Sequence, residues 1–177
     1  MANLKAHLFL AVLITASLSA CGLILPKQIL EQPAKQQALI SPLQGRVTLL
    51  DGTPLDLATE NSKIQIVMFV SDGCAVCRQE TKDLVTDLKT RGQPSNVHLY
   101  SVLIGATPED ARDWRDELGV DWTTGINPGD ELFREYCRPA LLTPCVILKK
   151  PTESGTTRLF GKHSVVEWET IAGRWSH

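Results

Sequence analysis

Ile64-Gln65-Ile66-Val67-Met68-Phe69-Val70-Ser71-Asp72-Gly73-Cys74-Ala75-Val76-Cys77 is the stretch on which the reading of this chain turns. Its first seven residues form an apolar run with β-branched members, the pattern of a central strand covered on both faces. The residues from 75 to 91 that follow place Val76, Leu84, Val85 and Leu88 at helical spacing against Arg78, Glu80, Lys82, Asp83 and Lys89. A strand therefore delivers a Cys-x-x-Cys to the first turn of a helix. The i, i+3 spacing brings both sulfurs to one side of the turn, close enough to interconvert between dithiol and disulfide. The unpaired amides and positive dipole end of the helix favour a thiolate on the first of them, Cys74.

Residues 45–50 and 53–57 around Asp51-Gly52 predict a hairpin. Residues 97–104 read as a second buried strand. Thr107-Pro108-Glu109-Asp110 supplies an N-cap, a proline at the first helical position and two acids in the first turn, so a helix is expected from there to Leu118, stopped by Gly119. A short third helix is expected over 130–136, after the turn Asn127-Pro128-Gly129. Residues 145–148 and 157–160 read as a closing hairpin across the loop 153–156, and 165–171 as a last helix. Alternating strands and helices followed by a hairpin and a helix indicate an α/β protein with a mixed sheet.

A second chemical signal is Leu142-Thr143-Pro144-Cys145-Val146-Ile147-Leu148, a Thr-Pro immediately before a buried-looking strand. With the strand-borne Cys74-x-x-Cys77-Arg78-x-Glu80, it resembles the thioredoxin-like fold: a central mixed sheet flanked by helices. The N-terminal hairpin and the extra helix-bearing insertion before the proline resemble the membrane-tethered TlpA/ResA group of thiol–disulfide oxidoreductases. That resemblance covers roughly residues 45–173. It implies a cis peptide at Pro144 facing the redox pair, protein thiol or disulfide substrates, no dissociable cofactor, a membrane electron donor of the DsbD/CcdA kind, and service in cytochrome c maturation or related thiol reduction. Two positions depart from the pattern. Gly73 stands where that group usually has Trp, which implies a more open loop, and Met68 stands where thioredoxins proper carry a buried proton-relaying acid. Solvent, the substrate thiol, Glu80 and Asp72 remain as sources of protons.

The N-terminus reads as processing signal. Lys5 precedes an apolar core at 8–18 that is too short to span a bilayer comfortably. Leu18-Ser19-Ala20-Cys21 resembles the lipobox of bacterial lipoproteins, which implies removal of residues 1–20 and acylation of Cys21. Gly22, rather than Asp, after the cysteine resembles the outer-membrane-sorted version. The expected organisation is a signal peptide at 1–20, a lipidated (palmitate-type) Cys21 with a tether to residue 43, and one domain over 44–177, on the periplasmic side of a bacterial envelope. The mature chain of 157 residues suffices for one core. A net charge of −2, without a basic run or interleaved aromatics, gives no support to nucleic-acid binding.

The four cysteines left after Cys21 carry the expected chemistry. Cys74 is the expected attacking thiolate and Cys77, one turn deeper, the resolving sulfur. Ala75-Val76 between them offers neither charge nor imidazole to the thiolate, which speaks against a strong oxidant and for a reductant. Cys137 and Cys145 could form a loop staple contributing about 2–3 kcal/mol, remain two buried thiols, or act as a second redox relay. A competing reading is a Sco-like copper chaperone using Cys74, Cys77 and His163, since two thiolates and an imidazole suit copper. That family, however, spaces its cysteines one residue wider. A peroxiredoxin-like peroxidase is weaker still. Ser71 fits that family's position three residues before the cysteine, but Val67 replaces its proline and Cys77 has no counterpart.

Overall fold

The computed structural model describes residues 38–59, 62–173 and 175–176. Seven consecutive buried residues make Ile64–Val70 the strand β4 at the centre of the sheet. On one side it pairs in parallel with β5 (Val97–Leu103). On the other it pairs antiparallel with β7 (Cys145–Lys149), which pairs antiparallel with β8 (Thr156–Phe160). The expected hairpin forms as β2 (Arg46–Leu49) and β3 (Pro54–Asp56).

Two strands were not expected from the sequence. β6 (Thr123–Ile126) pairs in parallel with β5 and antiparallel with β2. β1 (Ala38–Ile40) lies within the stretch read as tether and pairs antiparallel with β8. The folded part therefore begins earlier than residue 44. Leu43 is buried, Ser41 O accepts the Thr156 hydroxyl at 2.9 Å, and the Tyr136 hydroxyl accepts from Gln44 N at 2.7 Å while facing Pro42 O at 3.0 Å. Burial pushes the Tyr136 phenol above its ordinary range. The residues read as signal peptide, Cys21 and the stretch read as tether up to residue 37 lie outside the described residues. Among the described residues the sheet runs β1-β8-β7-β4-β5-β6-β2-β3.

The helices follow their capping chemistry. α1 spans Ala75–Arg91, with Cys74 as its N-cap. α2 spans Pro108–Leu118; Thr107 and Asp110 form a reciprocal capping box, and Gly119 ends the helix at φ 68°. α3 spans Glu131–Tyr136, a residue later than expected, because Pro128–Asp130 forms a separate tight turn with Asp130 at φ 54°. α4 spans Val165–Ala172 behind a Ser164–Glu167 capping box.

Because strand side chains alternate in direction, the sheet separates two cores. Ile66, Met68 and Val70 of β4 and Val146 and Leu148 of β7 pack on one face, with Cys77, Leu84, Trp114 and Trp168 from α1, α2 and α4. Val67 and Phe69 of β4 and Cys145 and Ile147 of β7 pack on the other, with Leu132, Phe133 and Tyr136 of α3 and Cys137. The four tryptophans, Trp114, Trp122, Trp168 and Trp175, are all buried. This division decides what the two cysteine pairs can do.

Candidate active site

The site is built where β4 ends and α1 begins. Ser71 O accepts Cys74 N at 3.1 Å, and the chain passes directly into α1 with Cys74 in the extended conformation of an N-cap, φ −85° and ψ 98°. Cys74 and Cys77 are disulfide-bonded, with Cα atoms 5.2 Å apart. Cys74 Sγ also accepts the backbone N–H of Cys77 at 3.1 Å. Cys74 is half-buried and Cys77 fully buried. An incoming sulfur can therefore reach only the first of the two. α1 has no acid in its first turn and Lys89 and Arg91 in its last, so no charge on the helix opposes its dipole at Cys74.

Across the gap stands the loop before β7. The Thr143–Pro144 peptide is cis, as the resemblance implies. Thr143 O lies 3.6 Å from Cys74 Sγ. In the disulfide this is a contact without a proton; in the dithiol the Cys74 S–H can donate to that carbonyl. The two neighbours act oppositely on a thiolate: the Cys77 amide stabilises it, whereas the negative end of the carbonyl dipole disfavours it. Pro144 O is held from behind by Gly161 N at 3.1 Å. A second cis peptide, Arg138–Pro139, opens the same loop and was not legible in the sequence.

The surroundings match the two departures noted above. A side chain added at Gly73 would meet nothing within 4 Å, so the approach to Cys74 is open. Met68 is buried in the core that contains Cys77. The two carboxylates left as proton sources are both engaged. Asp72 is bound by Arg78 at 2.6 Å. Arg78 also pairs with Glu117 of α2, which holds that carboxyl below its usual range and raises the guanidinium. Glu80 is buried, and its Oε1 accepts the backbone N–H of His163 at 2.9 Å, tying α1 to the segment before α4. His163 is itself buried, with Nε2 3.2 Å from Phe160 O. Among the described residues no cluster of three His, Cys, Asp or Glu side chains has a metal-binding arrangement. A cleft of about 430 Å³ beside β5 and β6 touches none of the four cysteines.

Cys137 and Cys145 form the second disulfide, with Cα atoms 6.2 Å apart and both residues fully buried. Of the three readings offered by the sequence, the staple fits this geometry. Cys145 points to the α3 face of the sheet whereas Cys77 packs on the other, so the relay reading has no direct path from sulfur to sulfur. The staple closes the loop that carries Thr143 and Pro144. The residue least visible in the sequence is Arg158 of β8, whose guanidinium donates to Tyr136 O at 3.0 Å and to Arg138 O, clamping the same loop from the side.

No protein-family model and no curated protein matches the sequence. Solved structures do match its fold. MTB DsbF, described in mixed oxidised and reduced forms, superposes with a TM-score of 0.64 at 15% identity, over 75% of this chain and 97% of that one. A secreted thiol-disulfide isomerase from Corynebacterium glutamicum gives 0.64 at 17% identity, over 80% and 93%. The thioredoxin domain of a thiol-disulfide oxidoreductase from Bacteroides vulgatus gives 0.60 at 22% identity, over 76% and 95%. With its cysteine pair at the β4–α1 corner, a cis-proline facing it and these superpositions along nearly the whole of each relative, the chain has the thioredoxin-like fold.

Proposed function

We propose that this protein is an extracytoplasmic thiol–disulfide oxidoreductase that reduces disulfides of protein substrates through Cys74 and Cys77, held at the membrane by a lipid on Cys21. The observation that supports this most is the asymmetry of the pair. Cys74 is half-buried at a helix N-terminus with an amide hydrogen bond to its sulfur, while Cys77 is sealed beneath it. In the working direction the Cys74 thiolate attacks one substrate sulfur and the substrate's other sulfur leaves as a thiolate. Cys77 then attacks Cys74 Sγ, releasing the second substrate thiolate and forming the disulfide present in the structure. The substrate gains two electrons and the cysteine pair loses two. A membrane dithiol donor of the DsbD/CcdA kind, in the manner of cytochrome c maturation, would return the pair to the dithiol. Pro144 and the Thr143 carbonyl border the position of the incoming sulfur.

Turnover of a protein disulfide that survives His163→Ala is the expected result. Stoichiometric Cu(I) binding lost in His163→Ala, without reductase turnover, would replace this reading with the copper one. For the anchor, the Cys21→Ser chain expressed in a Gram-negative host is expected to leave the membrane fraction or to retain residues 1–20. Unchanged fractionation and processing, followed by immunoblot, would refute acylation at Cys21.

A further inference from the structure

Among the described residues four large apolar side chains are exposed, and three belong to the two segments that meet at the redox pair: Val76 at 47%, Leu141 at 42% and Leu142 at 59%. Val76 lies between the two cysteines. Leu141 and Leu142 directly precede Thr143, whose carbonyl touches Cys74 Sγ. The two leucines do not hang from a slack loop. The segment 138–144 is closed by the buried Cys137–Cys145 disulfide and clamped by Arg158 at its start and Gly161 at its end. Within it Leu141 adopts φ 47°, a left-handed conformation that residues other than glycine seldom occupy, with its N–H donating to Cys137 O at 2.9 Å. Exposed leucines beside an apolar core and a strained backbone both cost stability, and such features persist where function requires them.

We propose that this disulfide-closed loop sets substrate specificity: Leu141 and Leu142, with Val76, select polypeptides whose reacting cysteine is flanked by large apolar residues. The proposal rests on the thiol-exchange reading above. The occupant follows from the geometry. A sulfur seated on Cys74 places the residues next to it only about 3.3–3.6 Å per step along an extended segment, alongside the leucines. Residues 139–144 carry no charge, so a charged segment gains nothing there whereas an apolar one loses water-exposed surface on both partners.

The test uses the oxidised protein and two peptide thiols of equal length, each with one central cysteine flanked on both sides by leucine or by serine. The peptide thiolate attacks Cys74 Sγ, the Cys74–Cys77 bond breaks, and Cys77 leaves as a thiolate, so no other reductant takes part. Mixed-disulfide formation is quenched with acid and counted by mass spectrometry. Each rate is divided by that peptide's rate with oxidised glutathione. The leucine peptide is expected to react about tenfold faster. The double variant Leu141→Ser/Leu142→Ser is expected to bring the ratio close to one, with reduction of the Cys74–Cys77 bond by glutathione unchanged. Equal rates in the parent protein, or a preference that survives the double substitution, would overturn the specificity claim. No exchange with either peptide or with glutathione would instead overturn the thiol-exchange reading beneath it.

Discussion

Cys74→Ser is expected to lower turnover of a disulfide-bonded protein such as insulin by at least about 10³-fold, because a hydroxyl at this position forms no thiolate and no mixed disulfide. Cys77→Ser is expected to behave differently. It leaves the attacking sulfur at the helix N-terminus and removes only the resolving one, so multiple turnover stops but a covalent Cys74–substrate adduct accumulates to about one per chain. The difference follows from burial: Cys77 is 0% exposed and meets a partner only through Cys74. Non-reducing electrophoresis followed by mass spectrometry reads both outcomes. Adducts forming on Cys77 in the Cys74→Ser chain, at the rate seen for Cys74 in the Cys77→Ser chain, would reverse the assignment.

Cys137→Ala/Cys145→Ala is expected to lower the unfolding free energy by about 2–3 kcal/mol and Tm by about 10 °C, since the bond closes a short loop between α3 and β7. Exchange between Cys74/Cys77 and glutathione is expected to persist, because the two disulfides lie on opposite faces of the sheet. Thermal unfolding by circular dichroism, beside a glutathione exchange assay, separates the two readings. Near-normal stability with lost exchange would restore the relay that this geometry argues against.

Much of the scaffold was legible because its signals are local. The apolar run of β4, with its β-branched members, and the helical pattern that begins after Cys74 mark the same boundaries in sequence and structure, and Thr107-Pro108-Glu109-Asp110 announces α2 by chemistry confined to four residues. What escaped depends on distant partners. β6 reads as Thr123-Thr124-Gly125-Ile126, too short for a period and interrupted by glycine. Gly125 is required because β2 crosses so closely that a Cβ there would lie 2.7 Å from Thr48 O. β1 emerges from a Pro- and Gln-bearing stretch and becomes a strand only because β8 offers a free edge. The pairing of Cys137 with Cys145 could not be chosen from their spacing, since it depends on the register that turns Cys145 toward α3. Leu141 and Leu142 look like residues to be buried, and only the closed loop explains why they remain in water.

Redox titration of the Cys74–Cys77 pair against glutathione or dithiothreitol buffers, followed by alkylation and mass spectrometry, decides whether this pair works as a reductant. A single reversible two-electron transition confined to these two cysteines, with a midpoint near or below about −250 mV, is the predicted result, in the range of thioredoxin-type reductants. A midpoint above about −180 mV, in the range of isomerases and oxidants, would contradict the assigned direction of electron flow. A pair that stays oxidised until the whole protein unfolds would contradict the assignment of Cys74 and Cys77 as a working redox couple.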